Sequence, residues 1–115
     1  MRAFLPRVTT AKISVLTFCI ALSFACSQNE TLESIERGKR VYIANCTACH
    51  ALDPAQDGPV GPAIAGAPRE LVAARVLRAE YPAGYTPKRA SRAMPAMPHL
   101  ANDIEALAAF LAETQ

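Results

Sequence analysis

The chain contains no tryptophan, and aromatic residues make up only 6% of it. Half the residues are hydrophobic, but many of these are alanine or belong to one apolar run near the N-terminus. The folded part therefore has few large side chains with which to fill an interior. At 115 residues there is room for one domain with a thin core, which a bound group would help to complete. No stretch alternates apolar and polar residues as a half-buried strand does, and no internal repeat is present.

A basic surplus is missing as well. The formal net charge of +2 comes from Arg2, Arg7 and Lys12, and without residues 1–25 nine Lys and Arg face ten Asp and Glu. A folded part without a basic patch gives no reason to expect a nucleic-acid partner.

Those three basic residues precede an apolar run, Ile13 to Ala25, that is too short to span a bilayer. The pattern is that of an export signal over residues 1–25. Small residues lie where a signal peptidase reads, and Cys26 follows directly. Leu22-Ser-Phe-Ala-Cys26 resembles a bacterial lipoprotein signal, in which the cysteine is lipidated and becomes the new N-terminus, although Ser23 and Phe24 depart from the usual residues. The alternatives are a plain periplasmic protein and an uncleaved membrane anchor. Residues 26–33 are polar and are expected to act as a tether, about 25 Å long if extended. The folded domain is expected over 34–115.

Four cysteines in an exported protein would ordinarily suggest disulfides. Here Cys19 falls inside the signal and Cys26 is the lipid candidate, which leaves Cys46 and Cys49 in the domain.

The periodicity predicts an all-α fold with three main helices and long loops. The first runs from Thr31 to about Ala44, with Leu32, Ile35, Val41 and Tyr42 at helical spacing and charges placed to suit the helix dipole. Residues 51–68 hold four prolines and three glycines and form an irregular loop. A second helix is expected from Pro68, at its first helical position, to Tyr81. After a second proline-rich loop, a third begins at Asn102 with Glu105 completing a capping box, burying Ile104, Leu107, Ala108 and Leu111. Loops this long in so small a domain need something to organise around.

Cys46-Thr-Ala-Cys49-His50 says what that is. Two thiols separated by two residues can form thioethers with the two vinyl groups of one haem, while His50 is carried under the iron as an axial ligand. A thioredoxin-like pair would need a βαβ context, which the pattern lacks. A zinc site built from Cys46, Cys49, His50 and His99 is the other alternative. Downstream, Met94, Met97 and His99 each offer a further atom that can bind a metal.

From Ser34 to Ala112 the chain resembles the class I cytochromes c. The resemblance rests on Glu36-Arg-Gly38-Lys-Arg-Val-Tyr42 leading into Asn45-Cys-Thr-Ala-Cys-His50, then Gly61-Pro62-Ala-Ile64-Ala-Gly66, Ala93-Met94-Pro95, and the closing Ile104-Glu-Ala-Leu107-Ala-Ala-Phe110-Leu111. It implies a cytochrome c fold wrapped around one covalently bound haem c. It implies that Gly38 and Tyr42 mark the crossing of the first and last helices, with Phe110 the matching aromatic. It also implies that the Pro62 carbonyl accepts the second imidazole N–H of His50, with Pro59 a rival, and that Met94 is the sixth ligand. Met97 is then a flexible filler and His99 a loop residue, either being the alternative ligand. Lys88, Arg89 and Arg92 would lie near the haem edge, to steer an acidic partner, to pair with propionates or simply to face solvent. Tyr81 and Tyr85 would donate to a propionate or pack.

The expected function is that of a single-electron carrier with His/Met ligation, not an enzyme and without a small-molecule substrate, working with redox partner proteins at or near a membrane. A haem subunit of a larger oxidoreductase, and a haem-based sensor with a labile sixth ligand, are the alternatives.

Overall fold

The computed structural model describes residues 29–90 and 92–115, and Thr31–Gln115 forms a unit of its own. Cys19, Cys26 and the expected signal lie outside the described residues. Three helices carry the unit, and no strand occurs among the described residues. Helix α1 covers 29–45, α2 Arg69–Arg78 and α3 Ile104–Glu113, the last preceded by a 3-10 turn, Pro98–Asp103. Residues 29–33, read above as tether, are helical and exposed, so the extended length does not apply to them. No described helix is long and apolar enough to cross a membrane.

The core is small. Tyr42 from α1, Val72 and Val76 from α2, Leu100, and four residues of α3 form one buried cluster. Ile35 and Val41 pack against it, whereas Leu32, on the predicted apolar stripe of α1, is 63% exposed. Helix α3 buries more than one stripe: Ala106 and Phe110 are buried besides Ile104, Leu107 and Leu111, and Ala108 is only half-buried. The second buried side of α3 meets α1 at Gly38, where an added Cβ would lie 1.9 Å from the Ala106 carbonyl oxygen and 2.9 Å from Phe110 Cβ. Backbone contact at that distance requires a residue with no side chain, which is why a glycine stands in mid-helix despite costing about 1 kcal/mol in propensity. The rings of Tyr42 and Phe110 fill the angle beside it, centroids 5.4 Å apart and tilted by 49°.

All three helices differ in their boundaries from the periodic reading, α1 beginning at 29 and α3 at Ile104. Pro68 is the extended residue before α2, not its first helical position, and α2 ends earlier than expected because Ala79 turns left-handed at φ 57°. The N–H groups of Ala79 and Glu80 then close back on the carbonyls of Arg75 and Ala74, a Schellman-type end. The capping box at Asn102 does not form. Asp103 is directed to Arg37 of α1, at 2.7 Å, and Glu105 to Arg69 of α2, so both carboxylates tie α3 to its neighbours instead of to its own first turn.

Candidate functional site

The end of α1 delivers the CxxCH motif as a tight turn. The Tyr42 carbonyl accepts from Cys46 N–H at 2.8 Å, and the Cys46 carbonyl accepts from the N–H groups of both Cys49 and His50, at 3.1 and 2.9 Å. Asn45 and Thr47 cap the emerging carbonyls of Val41 and Ile43 with their side chains. Both thiols are free, partly buried, and line one cavity. Burial, with Cys49 close by, pushes the Cys46 thiol up to about 11, so it stays protonated at neutral pH.

His50 is buried, at 8% exposure, and its Nδ1 lies 2.9 Å from the Pro62 carbonyl oxygen. A carbonyl can only accept, so Nδ1 carries the proton and donates it, which leaves the lone pair on Nε2. His50 lines the same cavity as the two thiols. The loop that holds Pro62 is itself fastened to the motif: Val60 and Gly61 both donate to the Cys49 carbonyl, at 3.2 and 2.8 Å. A Cβ on Gly61 would fall 2.4 Å from His50 Cε1, in the space the imidazole occupies. Pro59, the rival, makes no such contact and is exposed. Tyr42 reaches past the turn to donate to the Ala51 carbonyl at 2.6 Å, and burial raises its phenol to about 12.

The cavity measures about 420 Å³, a size typical of sites that enclose a small molecule or cofactor. Besides the motif residues and the segment around Pro62, it is lined by both Met94 and Met97. Both also pack against the core, and Met97 is further fixed by its N–H, which donates to the Val76 carbonyl at 2.6 Å. His99 is exposed in the 3-10 turn and lines no part of the cavity. Among the described residues no three His, Cys, Asp or Glu converge as a metal site, so the zinc alternative lacks its ligand cage.

The rim of the cavity is polar and aromatic. Tyr81 and Tyr85 stack on each other, 5.5 Å apart and nearly parallel, and the Arg75 guanidinium lies 4.3 Å over the Tyr81 ring. All three line the cavity. Arg75 had no sequence signal beyond its place on a helical face. Lys88 and Arg89 also line it, with Arg89 bonded to Asp57 across the loop, whereas Arg92 is exposed and does not.

The family model described as cytochrome c matches residues 35–115. The chain belongs to the cytochrome c family. No curated protein and no solved structure matches it. Membership implies a covalently bound haem c, and the Cys46 and Cys49 that attachment requires are present. It also implies an electron carrier, members of the cytochrome c family being typically carriers rather than enzymes. The residues fit such a group: two thiols and an imidazole lining one cavity, the imidazole Nδ1 held by the Pro62 carbonyl so that Nε2 is the nitrogen left to coordinate, two methionines lining the same cavity, and a glycine where a side chain would displace the imidazole.

Proposed function

We propose that this cytochrome c is a single-electron carrier in which Cys46 and Cys49 hold the haem through thioethers, His50 Nε2 is one axial ligand and Met94 the other. The observation that carries the reading is the 2.9 Å bond from His50 Nδ1 to the Pro62 carbonyl, which selects the tautomer able to coordinate through Nε2. It also orients the ring and raises its basicity. When bound, haem would supply a reversible one-electron couple, and a methionine thioether as well as the imidazole would raise its potential and leave no ligand position for substrate. The chain's own part is to exclude water with Ile64, Leu107 and Leu111, which line the cavity, and to offer Arg75 at its rim to an anionic edge. Met94 is favoured over Met97 by its place in the family resemblance and because the Met97 backbone is fastened to α2 at Val76, both methionines being followed by proline.

Export through residues 1–25 and attachment through lipidated Cys26 would place the domain beside membrane-bound donors and acceptors. An intact mass of the exported protein tests this: residues 26–115 plus haem with no acyl chains would remove the tether.

The ligand assignment is tested by the ultraviolet-visible spectrum of the ferric holoprotein. The weak long-wavelength sulfur-to-iron band should vanish in Met94→Ala and survive in Met97→Ala. A band that persists in Met94→Ala would show the assignment wrong, and rapid carbon monoxide binding by the reduced wild-type protein would favour a sensor.

A further inference from the structure

Two basic side chains just ahead of Met94, Lys88 exposed and Arg89 half-buried, end on backbone carbonyls rather than standing free in solvent. Lys88 Nζ donates to the Ala63 carbonyl at 2.8 Å, and Arg89 Nη1 to the Val60 carbonyl at 2.9 Å. Arg89 Nη2 also lies 3.3 Å from Asp57 Oδ2. The other oxygen of that carboxylate, Oδ1, accepts from Ala63 N–H at 2.7 Å. The segment so gripped, 57–63, is the one whose Pro62 carbonyl orients His50 and whose Val60 and Gly61 N–H groups hang on Cys49. The partners are separated by 25 and 29 residues in sequence, so no local preference puts them together.

We propose that Lys88, Arg89 and Asp57 form a clasp that fastens the Met94-bearing segment to the His50-bearing loop across the mouth of the cavity, and so acts as a positioning device for Met94. The inference rests on Met94 being the sixth ligand. Each bond joins a cation to a carbonyl or carboxylate, the stronger class of hydrogen bond. The Ala63 N–H, and then the Arg89 guanidinium, hold the Asp57 carboxyl below its ordinary range, as expected of a carboxylate that is a fixed part of the loop. The segment is fixed again beyond Met94, where Met97 N–H meets Val76. Met94 thus lies between two anchors, and the clasp is the one that ties it to the loop orienting His50. Losing the clasp removes one of these two anchors, so a competing ligand displaces Met94 more readily.

The test is imidazole binding to the ferric holoprotein, followed by loss of the long-wavelength band, with denaturant stability measured in parallel. Paired Lys88→Gln and Arg89→Gln changes should tighten apparent imidazole binding by about fivefold or more. Asp57→Asn, which removes one partner of Arg89, should give a smaller rise, and Arg89→Lys should fall between wild type and Arg89→Gln. Arg92→Gln removes the same charge from the same segment outside the clasp and should bind imidazole as wild type does. Met94→Ala sets the ceiling. If Met94→Ala binds imidazole no more tightly than wild type, the ligand assignment fails. If it binds much more tightly while the double variant and Asp57→Asn match wild type, the clasp is overturned. An Arg92→Gln effect as large as that of Arg89→Gln would overturn it too, by showing that net charge and not the bonds is responsible.

Discussion

Gly38 and Ala106 meet backbone to backbone: a Cβ on the glycine would lie 1.9 Å from the Ala106 carbonyl oxygen, so α1 and α3 cross at a distance no other residue permits. Helix propensity alone favours Gly38→Ala by about 1 kcal/mol. The crossing reverses that sign. The substitution should destabilise the holoprotein by roughly 2 kcal/mol or more, as overpacking against an unyielding backbone does, read as a lower denaturation midpoint. A neutral or stabilising result would mean the helices can separate without loss.

Ala79 makes the opposite case. It holds φ 57° at the end of α2 without being glycine, a conformation that costs an L-residue about 1 kcal/mol. Ala79→Gly should therefore raise stability by roughly 0.5–1 kcal/mol, visible in the same denaturant titration, with no change in the haem spectrum.

These two positions show what sequence reading reaches and where it stops. The motif at Cys46–His50, its partner Pro62, and the Gly38, Tyr42 and Phe110 crossing were all legible, because each has its chemistry written into residue type at fixed spacing. Glu105 was misread as a capping residue: Asn102 and Glu105 have the right spacing, but the 3-10 turn through Asp103 shifts the helix start, and Arg69 claims the carboxylate. Lys88 and Arg89 were equally opaque, since nothing local says whether a basic side chain ends in water or on a carbonyl 25 residues upstream. Long-range polar pairing is set by the assembled fold.

Tyr42 couples packing to pH. Its phenol donates to Ala51 at 2.6 Å, and burial raises it from 10.0 to about 12. A folded value above the unfolded one gives stability that is fully present below pH 10 and lost as pH rises from there to about 12. Tyr42→Phe should cost about 0.5–1.5 kcal/mol at neutral pH and flatten the alkaline fall. A wild-type profile level between those pH values would contradict the assignment.

Gly61→Ala puts a methyl group where the His50 ring now lies, 2.4 Å from Cε1. Either the ring turns or the loop backs away, and both lengthen the His50–Pro62 bond. The expected outcome is a shifted reduction potential together with lowered stability, measured by redox titration of the purified holoprotein. A variant whose potential matches wild type would show that the ring is oriented by other contacts.

The bond from Met97 N–H to the Val76 carbonyl has a kinetic consequence. With Arg89 held at Val60, it makes the stretch carrying Met94 a short span pinned at both ends rather than a free loop. Closing a loop of ten residues takes on the order of 10–100 ns, and a span with both ends already in place has less to search. With Met94 as the proposed ligand, a sulfur that lets go should return before most diffusing molecules arrive, and resistance to small ligands would then rest on recapture speed as much as on bond strength.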